Sequence, residues 1–161
     1  MTDITFTPNN FWHMQMHPTG LQDDFAPNIP YILEHRGFIG LGNWERDDEP
    51  DPQIAIFNER IAVNDIVAIR NGAKFIALVQ VIGGAYQIKG DTDPRTHWIE
   101  NRRPVRVLDW EIDGKEVREC PHYRPTLARC GSDDAETTQI IKTWYERVAK
   151  SLTARELPLS L

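Results

Sequence analysis

Apolar positions crowd most densely between residues 66 and 83. There Ile-Val-Ala-Ile-Arg and Phe-Ile-Ala-Leu-Val-Gln-Val run on either side of Asn71-Gly72. Asn-Gly between β-formers predicts a hairpin, because a type I′ turn needs positive φ at both central residues. The two runs barely alternate, which predicts strands buried on both faces and places the hairpin in the middle of a curved sheet or barrel. Upstream, Phe11-Trp12-His13-Met14-Gln15-Met16 reads as a strand ended by His17-Pro18, since proline cannot donate to a ladder. The two-residue period sets Trp12, Met14 and Met16 on a core face, and Phe11, His13 and Gln15 on the other, with His13 half-exposed. Phe38-Ile39-Gly40-Leu41-Gly42 is a short strand whose glycines let another backbone or a ligand come close. Residues 105–112 form a further strand before an Asp113-Gly114 turn, and residues 122–130 hold a closing strand.

Helical spacing appears in three places. Asn28 is placed to cap a short helix through Tyr31, Ile32 and Leu33, stopped at Gly37. Residues 53–60 suit a second, with Phe57 and either Ile54 or Ile56 turned inward. After an Asp133-x-x-Glu136 start that is close to a capping box, Ile140, Ile141, Trp144, Tyr145, Val148 and Leu152 recur as one long amphipathic helix. It is expected to cover one end or side of the barrel. The organisation is α+β: a lead-in over residues 1–10, a single domain over 11–152, and a tail or the start of a linker over 153–161.

A chain of 161 residues can bury one sizeable core. Its net charge of −6 argues against a nonspecific nucleic-acid binder, whose affinity comes from neutralising phosphates. The run from Glu45 to Pro52 is too acidic and proline-rich to pack and is expected to point away from any phosphate backbone. No apolar run is long enough to span a bilayer and no basic-then-apolar leader opens the chain, so the expected location is cytoplasmic, with no membrane partner. Cys120 and Cys130 are expected as buried thiols. Cys120-x-His122 with a distant Cys130 lacks a paired Cys-x-x-Cys and a fourth ligand, so neither a metal nor another cofactor is expected.

Five segments, in order, resemble the PUA-like superfamily and, within it, the EVE and YTH group. Phe11-Trp12-His13-Met14-Gln15-Met16-His17-Pro18 is similar to the group's aromatic first strand. Gly37-Phe38-Ile39-Gly40-Leu41-Gly42-Asn43-Trp44 resembles the Gly-rich strand, ending in tryptophan, of EVE-like domains in modification-dependent restriction systems. Val63-Asn64-Asp65-Ile66-Val67 and Phe75 to Val81 resemble the Val-Gly-Asp strand start and the strand after it. His97-Trp98, followed by Val107-Leu108-Asp109-Trp110, resembles the YTH stretch with a cage tryptophan. The likeness runs from about Phe11 to Cys130. Gln15 stands where the group often has lysine and His17 where EVE proteins have glutamate, and the acidic run after Trp44 is foreign to the pattern.

The resemblance implies a PUA-like mixed β-barrel with peripheral helices, holding a pocket for one modified base between aromatic walls. Trp44 and Trp98 are the expected walls, with Tyr86 as a third. Met16 and His17 fall where the group's first strand delivers pocket contacts. Asn43 suits an adenine- or cytosine-like edge, and Asp91 or Asp109 suits an exocyclic amine. Lys74, Arg95, Arg102, Arg103 and Arg106 are the candidate phosphate contacts. The expected partner is modified DNA, with 5-methylcytosine, its hydroxymethyl form and methylated adenine all fitting, and with a nuclease or NTPase as partner or appended domain. Modified RNA is the alternative ligand.

Catalytic patterns are missing from the sequence. There is no phosphate-cradling Gly-x-x-x-x-Gly-Lys, no His-Glu-x-x-His and no nucleophile elbow. Glu111-Ile112-Asp113-Gly114-Lys115 lacks an upstream Pro-Asp partner on a strand. The chain reads as a binder with no catalytic residues; the competing reading, an enzyme on a related barrel, would use Asp91, Asp109 or His17.

Overall fold

A computed structural model describes residues 8, 10–16, 26–111, 117–121 and 125–161. His17, His122, the Asp113-Gly114 turn and most of the lead-in lie outside the described residues.

The apolar hairpin is central. Strand β5 (Ile66–Asn71) pairs antiparallel with β6 (Lys74–Val81). Val67, Ile69, Ala77, Val79 and Val81 enter one core, while Ile66, Ala68, Phe75 and Leu78 enter another on the opposite face. Both faces are therefore buried, as the missing alternation predicts. The turn differs from expectation. Asn71 pairs with Lys74, so Gly72 and Ala73 are the central residues. Within this hairpin positive φ falls on Gly72 alone, at 59°, which is the type II′ pattern; glycine takes that conformation without steric cost and Asn71 stays in the ladder. The I′ pattern occurs instead in the small hairpin of β3 (Glu45–Arg46) and β4 (Glu49–Pro50). Its central Asp47 and Asp48 both have positive φ, 56° and 63°.

Strand β1 (Phe11–Gln15) runs parallel to β5 on one edge and antiparallel to β9 (Leu127–Arg129) on the other. Strand β2 (Phe38–Leu41) and the two-residue β7 (Tyr86–Gln87) both pair with the first half of β8 (Asn101–Trp110), and β6 pairs with its second half. The order is β2-β8-β6-β5-β1-β9, a mixed sheet curled into a half-barrel. Extra residues at Ile76 and Leu108 break the register on β6 and β8, and such bulges increase strand twist and bend. β8 starts earlier than its apolar pattern suggests, because Arg102 and Arg103 belong to it.

One face of the sheet holds Trp12, Met14 and Met16, as the period of two predicts. It is covered by a helical segment and by α2 (Pro52–Glu59). The segment comprises a 3-10 turn (Ala26–Asn28), α1 (Ile29–Tyr31) and a π turn (Ile32–Arg36), and it ends at Gly37 with φ of 68°. Asn28 makes no capping bond, because the turn before it has already begun. Helix α2 (Pro52–Glu59) is capped by Asp51, whose carboxylate accepts from the Gln53 N–H at 2.9 Å. Its Phe57 is fully buried.

Helix α3 (Glu136–Ala154) covers the opposite face of the sheet rather than an end. Ile141, Trp144, Tyr145, Val148 and Leu152 pack there against Phe11, Ile66, Ala68, Phe75 and Leu78. Ala135 occupies the N-cap with no side-chain cap, and Asp133 pairs with Lys142 instead of closing a capping box. The segment after α3 lies along the sheet. Arg106 donates to Pro158 O, Gln80 to Leu159 O at 2.6 Å, and the Leu161 N–H to Asn64 Oδ1 at 3.0 Å. Cys120 is buried, with its Sγ 3.9 Å from Thr137 Oγ1, and Cys130 is partly buried; both lie beside this core. None of the described helices is long and apolar enough to cross a membrane.

Candidate functional site

The site grows from the end of β2. A Cβ on Gly40 would fall 2.2 Å from Ile99 Cγ2 and 2.4 Å from Asn101 O, so only glycine lets β2 press against residues 99–101. One on Gly42 would meet the Trp98 ring at 3.2 Å. The close approach that the glycines permit is thus filled by the chain itself. Trp98 lies on Gly42, half-buried against the core that holds Trp12, Met14 and Met16. Trp44 follows two residues on, also half-buried against that core. Its indole N–H faces the Asp51 carboxylate, and the Asp51 N–H donates to Trp44 O at 3.0 Å. Burial works to raise the Asp51 carboxyl, but bonds from Gln53 and Trp44 and the charge of Arg46 outweigh it and hold the group below its ordinary value. Both expected walls therefore stand at one end of the sheet, where β2 stops and β8 starts.

At this end of the sheet the carboxamides form a chain. Asn101 is fully buried. Its Nδ2 donates to Leu41 O at 3.2 Å, Gly42 O at 3.4 Å and Asn43 Oδ1 at 2.8 Å. Its Oδ1 accepts from Asn58 Nδ2 and Gln87 Nε2, each at 3.1 Å. Asn43 passes the chain on, donating to Glu100. Asn43, expected as a base-edge contact, is exposed at the rim of this cluster. Asn58, Gln87, Glu100 and Asn101 were not singled out by sequence. They come from α2, β7 and β8, and nothing in their spacing announces the meeting.

Beside Trp98 the loop over residues 91–97 is pinned by charge. Asp91 accepts from Arg102 at 2.5 Å, Thr96 at 2.7 Å and Arg36 at 3.3 Å. The Arg102 bond, then the Asp93 N–H and Thr96, hold its carboxyl well below the usual carboxylate range. Asp91 is thus a structural anion whose acceptor capacity is committed, not an acceptor for a ligand amine. Asp93 binds Arg36 and Arg95, and the Arg95 guanidinium stacks 3.4 Å above the Tyr31 ring.

Three of the expected phosphate contacts are turned to other work. Arg102 is buried and donates to Ile99 O and Thr96 O. Arg103 is buried and donates to Phe57 O and Asn58 O. Arg106 is held by Gln80 and Pro158 O. Each guanidinium is committed to acceptors within the fold, backbone carbonyls among them. Lys74 is exposed, but beyond the Ala77–Trp110 pair, at the far end of β8 from Asn101. Arg95 remains half-exposed beside Trp98. Met16 is fully buried and Asp109 takes the Trp144 indole N–H at 2.7 Å, so neither belongs to the site. Tyr86 is 38% exposed on β7, opposite Arg102 in register. Two cavities, of about 320 and 690 Å³, lie along α3, and Trp44 and Trp98 line neither. Compared with models of protein families and with curated proteins, the chain matches none.

Proposed function

We propose that this chain is a modified-base-binding module of PUA-like, EVE/YTH-like type. In this reading it receives a methylated or hydroxymethylated base extruded from DNA. The observation that carries the reading is the placement of two half-buried indoles, Trp44 and Trp98, at one end of β2 and β8, where a run of hydrogen-bonded carboxamides also lies. Extrusion costs a few kcal/mol, since the base leaves its stack and its pair. Stacking on an indole returns about 1–3 kcal/mol per base, and amides supply edge recognition. The inward turn of Arg102, Arg103 and Arg106 supports a module that relies on the base more than on the backbone. The five sequence segments above support the setting, the targeting part of a modification-dependent restriction or phage-defence system working with a nuclease or NTPase.

The test is a binding panel of matched DNA duplexes, with and without 5-methylcytosine, 5-hydroxymethylcytosine and N6-methyladenine, and the same sequences as single-stranded RNA. Tight binding to one modified duplex is the expected result. Trp44→Ala and Trp98→Ala should each weaken it by about 1–3 kcal/mol. Unchanged affinity in both folded variants would remove the aromatic walls from the account, and preference for the RNA strands would move the module to the alternative ligand.

A further inference from the structure

We infer that the cavity between α3, the start of β1 and the segment after α3 is a second binding site, one that takes a small carboxylic acid with an apolar body. It is independent of the base-binding reading. Its walls belong to the core on the opposite face of the sheet from the one that Trp44 and Trp98 pack against.

The walls define the body of the ligand. The cavity measures about 690 Å³, within the roughly 300–1,000 Å³ of small-molecule pockets. Phe11 and Tyr145 meet there edge to face, with ring centroids 5.6 Å apart, and Ala149, Ala154 and Leu159 add to the apolar lining. Where α3 carries Tyr145, Val148 and Leu152, its face is filled. At Ala149 and Ala154 it offers a single methyl group, which leaves room.

Two groups whose needs the fold does not meet define the head of the ligand. Tyr145 is 6% exposed, and its hydroxyl is shielded from solvent with no hydrogen-bond partner. Half-buried Arg106 donates to Gln80 Oε1 at 2.6 Å and to the carbonyl of Pro158, the neighbour of Leu159 in the cavity wall. It pairs with no carboxylate among the described residues. The two groups feel one another. Burial pushes the Tyr145 hydroxyl up and the Arg106 charge draws it back, while burial lowers Arg106. An unmet buried hydroxyl carries a desolvation penalty, and a half-buried cation gains from a counter-charge. A carboxylate answers both, since its two oxygens only accept. A neutral amide would relieve the hydroxyl and leave the charge. At the rim Glu146 is exposed, and Lys142 and Lys150, a turn away on each side, offset its charge.

The test is calorimetric titration of the full chain with 3-phenylpropanoate and octanoate, each beside its carboxamide. At least one carboxylate should bind, and tighter than its amide by about tenfold or more, because the amide brings no counter-charge to Arg106. Tyr145→Phe removes an oxygen that has no partner, so the variant should keep its denaturation midpoint while losing about tenfold in affinity for the acid. Arg106→Gln should bring the acid down to the level of the amide, and Ala149→Leu should fill the cavity and abolish binding. No binding of either acid at about 10 mM, equal binding of acid and amide, or full affinity in Tyr145→Phe and Ala149→Leu would overturn the inference. Each of these results leaves the nucleic-acid reading untouched.

Discussion

The His13 ring is buried, contrary to the half-exposed position its strand face suggests, and its Nδ1 accepts from Arg70 Nε at 2.9 Å. The ring proton therefore sits on Nε2. Burial first, and the Arg70 charge second, lower its pKa to about 4 from the ordinary 6.5. The unfolded chain binds a proton near the ordinary value while the folded one does not. Stability is therefore constant above pH 6.5 and falls as the pH drops towards 4, by roughly 3 kcal/mol in all. Urea unfolding at pH 7.5, 5.5 and 4.5 checks this, and a flat profile across that window would contradict it. Asp91, held below its ordinary 3.8, adds its own loss only beneath the window. The paired burial of His13 and Arg70 was not legible in sequence, because charge along a chain says nothing of direction. The same blindness made Arg102 and Arg103 look like a basic surface. Trp12, Met14 and Met16 were legible because a period of two needs no tertiary information.

Among the elements, β2 shows most sharply how one missing side chain sets a geometry. The atoms facing Gly40 include the Asn101 carbonyl, which belongs to the paired backbone and cannot swing aside. Gly40→Ala should destabilise the fold by about 2–3 kcal/mol or more, whereas Gly84→Ala, with nothing within 4 Å of the added carbon, should stay within about 0.5 kcal/mol. Denaturant midpoints of the two variants separate these outcomes, and equal midpoints would refute the packing argument. The strands around this glycine were legible as elements while their details were not. The β5–β6 hairpin forms where Asn71-Gly72 foretells one, yet the turn sits one residue later, because only Gly72 adopts positive φ there. The amphipathic spacing of α3 was read correctly as to face, but its start rests on Ala135 rather than on Asp133.

For the molecule as a whole, most arginine charge near the site is spent internally, and the net charge is −6. Arg36 and Arg95 are the half-exposed cations in the segments beside Trp98. Under the proposed DNA-binding role, about two phosphate contacts would give a log–log salt slope near −1.8, so raising salt from about 50 to 200 mM should cost a modified duplex only about tenfold in affinity. A loss of a thousandfold or more would mean a phosphate surface these residues do not account for. The architecture was legible as class and not as topology, since no local pattern could tell that β1 would lie between β5 and β9. That placement has a kinetic corollary. β1 leaves the ribosome before either neighbour exists, and its second edge waits for Leu127–Arg129. Folding must therefore bring together strands far apart in the sequence to seat β1, which predisposes the chain to slow maturation and to help from chaperones.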